Sequence, residues 1–172
     1  MARARSRRRA WWLLLLLLIA VVAVVRVARQ RPASVEVYFV RTVGSHHLSG
    51  LAAVRRAAPP GPSDVRLDAA LRALLRGPGD PQFHTEIPQG TALLGVHVRG
   101  GIATVDLSAT FAAGGGSTSM LGRVWQVVYT ATQFADAPAA QILIDHKRVE
   151  ALGGEGIEIG SPLRRPASPP SF

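Results

Sequence analysis

The clearest alternation of apolar and polar positions lies between Gly90 and Phe111. Two runs rich in β-branched residues are separated there by Gly100-Gly101, a dipeptide suited to the positive φ angles of a two-residue hairpin turn. With those glycines as the loop, Arg99 pairs with Ile102, Val98 with Ala103, Val96 with Val105 and Leu94 with Leu107. The register gathers Leu94, Val96, Val98, Ala103, Val105 and Leu107 on one apolar face. The other face carries Leu93, Gly95, His97, Arg99, Ile102, Thr104, Asp106 and Ser108 and is mostly polar. A slip of one residue would destroy that separation, so the pattern predicts the hairpin together with its register.

Other elements flank it. Val35 to Val40 alternates and reads as a strand, Gly44-Ser45-His46-His47 as a turn, and Leu48 to Ala57 as a weak partner strand. Leu67, Ala70, Leu71 and Leu74 recur at helical spacing after Ser63 or Asp64, either of which suits a cap, and Gly77-Pro78 stops the helix. Gly114-Gly115-Gly116 reads as a flexible joint. Ser117 or Ser119 then caps a second helix running to about Phe134, with Leu121, Val124, Trp125, Val128 and Thr132 on its apolar face. Gln141 to Asp145 is a core strand with a turn at His146-Lys147, and the proline-bearing stretch from Ser161 is a loop tending to disorder. The order predicts an α+β fold: a two-layer sandwich in which two helices cover one face of a mixed four- to five-stranded sheet.

Ahead of this domain an apolar run extends from Ala10 to Val25, preceded by Arg3, Arg5, Arg7, Arg8 and Arg9. Snorkelling of Arg26 extends it to Ala28, giving 19 positions or about 28 Å of helix, which matches a hydrocarbon core of about 30 Å. Trp11 and Trp12 stand where interfacial aromatics belong. No Ala-x-Ala cleavage site accompanies the run, which favours an uncleaved transmembrane helix over a signal peptide. The predicted organisation is a basic cytoplasmic tail over 1–9, an anchor over 10–28, a linker over 29–34, a folded domain over 35–166 and a disordered tail over 167–172.

Charge changes the picture less than it first promises. The net charge is +9, but residues 1–31 hold eight arginines and no acid. The remaining 12 basic and 11 acidic side chains leave the folded part at +1, which argues against nucleic acid as a partner. The chain has no cysteine, so disulfides, thiolate ligands, a cysteine nucleophile and lipidated cysteine are excluded.

Candidate chemistry gathers on the polar face of the central hairpin. His97 opposes Thr104 in the expected register, with Asp106 diagonal to it and Ser108 beyond, a spacing that admits a Ser/His/Asp-like cluster. No nucleophile elbow or oxyanion loop accompanies it, and cross-strand polar pairing explains the same residues. Asp106 and Ser108 also suit the end of a strand, where short polar side chains bond nearby amides. Ser117, following three glycines at a helix start, is a candidate anion contact, although the lysine of a phosphate loop is missing. His46 and His47 are adjacent and have no ligand-type spacing, so neither a metal nor another cofactor is expected.

The folded part also resembles the GerMN (germane) domain family. The matching stretches are Leu71 to Pro78, Ile87-Pro88-Gln89-Gly90-Thr91, Val105-Asp106-Leu107-Ser108 ahead of Phe111, Gly116-Ser117 and Thr132-Gln133-Phe134. Ile142 to Arg148, Leu152-Gly153-Gly154 and Pro162 to Pro166 complete the pattern, whose order and spacing carry the resemblance over residues 35–166. The resemblance implies an extracytoplasmic envelope protein of bacteria without catalytic activity, binding other proteins or ligands. Two departures stand out. Many relatives are lipoproteins, and this chain offers no cysteine. Asp145-His146-Lys147 stands where the family often has Asp-Gly, which disfavours a tight turn there.

Together these readings give an expectation: a single-pass protein of the cytoplasmic membrane, N-terminus inside, with one non-catalytic domain outside. Its expected partners are the inner membrane, envelope proteins or peptidoglycan, and further copies of itself. The alternative is a ligand-binding or hydrolytic protein using His97, Asp106 and Ser108.

Overall fold

A computed structural model describes residues 17–21, 33–43, 48–153, 156–168, 170 and 172. The chain divides into two compact units, 1–32 and 33–172. In the first, residues 17–21 are helical, with Leu17, Leu18, Ile19 and Val21 exposed. The rest of the expected anchor, and His46-His47, lie outside the described residues. Among the described residues no helix is long and apolar enough to cross a membrane.

The second unit begins with β1 (Ala33–Val43) and β2 (Leu48–Ala58), paired antiparallel over their full lengths. Helix α1 (Ser63–Leu75) follows, then β3 (Leu93–Arg99) and β4 (Ile102–Leu107). A single 3-10 turn (Ala109–Ala112) leads to α2 (Ser117–Ala131) and β5 (Ala139–Ile144). Three two-residue strands close the chain: β6 (Ala151–Leu152), β7 (Ile157–Glu158) and β8 (Leu163–Arg164).

The fold is α+β, but its sheets are divided differently from the expected sandwich. The main sheet has the order β3-β4-β5-β8 and is mixed, with β4 and β5 parallel. The pair β1–β2 stands apart as a sheet of its own. The helices bridge the two: α1 packs on β1, β3 and α2, and α2 packs on β1 and β5. One core results, built from Val37 and Phe39 of β1, Leu67, Leu71 and Leu74 of α1, Val105 and Leu107 of β4, Val124 and Val128 of α2, and Ile142 of β5.

The outer edge of β1 explains the separation. Gln133 Oε1 accepts the Glu36 N–H at 2.8 Å, and Gln133 Nε2 donates to the Glu36 carbonyl at 2.8 Å. Thr130 Oγ1 accepts the Tyr38 N–H at 3.1 Å, while Gln126 Nε2 donates to the Tyr38 carbonyl at 3.2 Å. Val40 and His84 exchange both backbone bonds at 2.9 Å. Gln126 and Thr130 of α2, Gln133 just beyond it and one loop residue therefore stand in for a neighbouring strand, satisfying a buried edge that no strand among the described residues reaches.

The central hairpin forms with Gly100 and Gly101 at φ 57° and 80°, and pairs Arg99 with Ile102, Val98 with Ala103 and Val96 with Val105 as expected. Its far end departs. Leu93, not Leu94, faces Leu107, and a bulge lies between Leu93 and Gly95. Leu94 is turned out at 41% exposure while Leu93 packs on the core. The cause is a clamp at the strand exit: the Ser108 N–H donates to the Ala92 carbonyl at 3.0 Å, and the Ala92 N–H donates to Ser108 Oγ at 2.9 Å. That pairing leaves one extra residue on β3, which the bulge absorbs.

Helix α2 is buried on most sides rather than along the expected stripe. Arg123, Gln126 and Thr130 are buried with Val124, Val127 and Val128, whereas Leu121 and Trp125 are only partly buried, Trp125 packing against the core. Its N-cap is Gly116, and neither Ser117 nor Ser119 caps it. Pro62, not Ser63 or Asp64, takes the corresponding place on α1, and Ser63 Oγ donates instead to Asp136 at 2.7 Å. Near the chain end β8 pairs with β5 where a loop was expected. Arg165 lies over the rings of Tyr38 and Tyr129, 5.0 and 4.7 Å from their centroids.

Candidate functional site

The polar residues of the hairpin do not assemble as one cluster. His97 opposes Thr104 and is exposed. Asp106, 8% exposed, opposes Gly95 and turns to a different histidine. Its Oδ1 accepts the His146 backbone N–H at 3.0 Å, and its Oδ2 lies 2.5 Å from His146 Nδ1. Ser108 is engaged with Ala92, as described above.

Parallel pairing of β4 with β5 makes the Asp106–His146 contact, because it brings Leu107 opposite Ile144 and so the two strand exits side by side. Ile144 and Lys147 then exchange bonds of 2.9 and 3.0 Å around a tight turn. Asp145 and His146 hold φ 46° and 65°, the left-handed geometry of a type I′ turn. The turn forms without the glycine that favours it. Asp145 is tied twice, through its N–H to the Leu107 carbonyl at 2.9 Å and through Oδ1 to the Ala109 N–H at 3.0 Å. These bonds, with Asp106 on the His146 amide, offset the cost of two side chains in that region. The result is a polar seam in which Asp106, Ser108 and Asp145 each serve backbone amides.

Ser117 lies elsewhere. It is exposed at the start of α2, on a cavity of about 190 Å³ shared with Gly115, Gly116, Met120, Leu152, Gly156 and Ile157, and not with His97, Asp106 or Ser108. The glycines before it are held rather than loose. Arg123, 2% exposed, donates through Nη1 to the Phe111 and Ala113 carbonyls at 2.8 and 3.0 Å. Through Nη2 it donates to the Gly114 carbonyl and Ser119 Oγ, both at 3.1 Å. Burial pushes the Arg123 guanidinium below its usual pKa, against the opposing charge of Glu86. A Cβ on Gly115, whose φ is 83°, would stand 2.6 Å from Arg123 Nη2, so the tight joint requires glycine.

Among the described residues no group of three or more His, Asp or Glu side chains is placed to hold a metal. Sequence reading missed His146, Arg123 and Gln126 as organising residues. Their partners are 40, 12 and 88 positions away, beyond any local pattern.

The sequence profile of the Germane family, described as sporulation and spore germination, matches residues 36–150. The chain belongs to the GerMN (germane) family. The fold agrees with solved GerMN domains. The first GerMN domain of the Bacillus subtilis sporulation protein GerM is similar at 22% identity and a TM-score of 0.58, over 77% of this chain and 98% of that one. The tandem GerMN domains of the same protein give 18% and 0.64, over 78% of this chain and 46% of that one. A candidate lipoprotein from Clostridium perfringens gives 21% and 0.56, over 78% and 88%. No curated protein sequence matches.

Proposed function

We propose that this GerMN protein is a non-catalytic, membrane-anchored component of the bacterial envelope whose domain works by contact with other proteins or the cell wall. The observation that carries the reading is the polar seam: Asp106 and Ser108, the groups most able to do chemistry, are engaged with backbone amides, and His97 takes no part in those bonds. A carboxylate and a hydroxyl so occupied serve the fold before they serve a substrate. Arginines ahead of the apolar run from Ala10 to Val25 support an anchor with its N-terminus inside, and the lipoprotein neighbour supports membrane association. Confinement to a membrane plane raises the effective concentration toward partners, so that weak contacts suffice.

Two experiments test this. A reporter active only outside the cytoplasm, fused after Phe172, should be active in a full-length, membrane-bound product; a soluble product beginning near Val24 rejects the anchor. His97→Ala with Ser117→Ala removes the two exposed candidate groups without touching the seam. The variant should retain its in-cell crosslinks and complement a deletion strain. If it folds, localises and keeps its crosslinks but fails to complement, those side chains have a chemical role and the binding reading is wrong.

A further inference from the structure

The two long edges of the β1–β2 hairpin differ. Glu36, Tyr38 and Val40 direct both backbone groups away from β2, toward Gln133, Thr130, Gln126 and His84. In an antiparallel ladder, residues opposite such positions also point their N–H and C=O groups outward. Their partners are Arg55, Ala53 and Leu51, with Ala57 two residues further along. Among the described residues β2 has only β1 as a neighbouring strand, and none of these amides has a backbone partner. The Arg55 carbonyl receives a long 3.4 Å contact from Arg56 Nη1.

Apart from Arg55 this edge lacks the usual protection. The strand is eleven residues long, contains no proline and pairs with β1 without a bulge. Ala53 and Ala57 are exposed and too small to shield the backbone. The charges on the hairpin are mainly basic. Arg41, Arg55 and Arg56 face a single acid on the hairpin, Glu36, whose carboxylate accepts the Tyr38 O–H at 2.9 Å. The close basic–acidic contacts of the described residues are Arg72–Asp68, His84–Glu86 and His146–Asp106, so none of those three arginines meets a carboxylate among them, although Arg56 donates to the Pro78 carbonyl.

We infer that the free edge of β2 is a docking site for an extended acidic segment of another protein, which adds to it as a further strand. Main-chain bonds to Leu51, Ala53, Arg55 and Ala57 supply affinity, and the exposed Arg55 selects carboxylates on its own face of the added strand, while Arg56 is held by the Pro78 carbonyl. A second copy of the chain fits worse. Antiparallel self-pairing about Val54 sets the two copies of Arg55 diagonally across one short ladder, and self-pairing about Arg55 sets them directly opposite, so like charges crowd in either register. This inference rests on the binding reading above and names the partner's chemistry.

The test uses the full-length chain in detergent micelles and a fluorescent, end-capped octapeptide alternating valine and glutamate. Anisotropy should show saturable binding, with hydrogen-exchange protection gained at Leu51, Ala53, Arg55 and Ala57. Ala53→Pro removes an outward N–H while leaving the β1 ladder intact, since edge positions accept proline. It should weaken binding at least tenfold, as should Arg55→Glu, which leaves every backbone group in place. The valine–lysine counterpart should not bind. Equal binding of both peptides, or binding unaffected by Ala53→Pro and Arg55→Glu, overturns the proposal. So does a dimer in sedimentation that Ala53→Pro abolishes, which would assign the edge to a second copy. None of these failures touches the crosslinks and complementation that decide the broader binding reading.

Discussion

The protein contains two hairpins that solve the same problem differently. In β3–β4 a Gly-Gly turn sets the register and alternation sorts Ala103, Val105 and Leu107 into the core. At the turn end everything needed lies within a few neighbouring residues, and only the far end depends on the Ala92–Ser108 clamp. In β1–β2 the paired strands are longer, yet β1 is fixed at its outer edge by side chains of α2 and of Gln133 just after it, some ninety positions away. The first hairpin is specified by pattern and the second by long-range hydrogen bonds. Substitutions should therefore fail for different reasons in the two regions.

The largest effect is expected in the first. Val105→Asp places an unpaired carboxylate at a fully buried position, at a cost on the order of the whole stability. No cooperative melting transition should remain, whereas His97→Asp on the exposed side should melt with the wild type. In the second hairpin Gln126→Leu keeps the volume but strips partners from the Tyr38 carbonyl and the Glu86 N–H. One buried and one part-buried group left unsatisfied cost roughly 2–4 kcal/mol, measurable by urea unfolding. A loss below about 0.5 kcal/mol would show that the β1 edge does not depend on α2.

The joints come next. Gly115→Ala forces a side chain into the left-handed region and against Arg123, at about 1–3 kcal/mol. His146→Gly relaxes the turn backbone and retains the amide bond to Asp106 while losing the ring contact, so stability should change by less than about 1 kcal/mol. The smallest effect is alkaline. Burial raises the pKa of both Tyr38 and Tyr129 above the ordinary value, with the Glu36 hydrogen bond adding to it at Tyr38. A raised folded-state pKa means stability that is fully present below about pH 10 and lost as pH rises through the folded values. Tyr38→Phe should flatten that alkaline loss in pH-dependent unfolding.

The same contrast explains what could be read in the sequence. The β3–β4 turn, the core stripe of α1 and the apolar β5 strand were legible because each is written in local period and turn chemistry. Leu94 was misplaced because the clamp between Ala92 and Ser108, which creates the bulge, spans 16 residues. The separation of β1–β2 from the main sheet was hidden because Gln126, Thr130 and Gln133 look like ordinary polar helix positions. The candidate site divided in the same way. Asp106 and Ser108 were visible as polar residues ending a strand, but His146 meets Asp106 only through the parallel pairing of β4 with β5, which no local pattern displays.

At the centre of the account is the claim that Asp106 is a structural joint rather than a reactive group. Urea unfolding of Asp106→Ala against the wild-type chain tests it most directly. A joint that loses its bonds to His146 should cost about 2–3 kcal/mol of stability. Unchanged or increased stability would contradict the account, because groups held for chemistry are commonly retained at the expense of the fold.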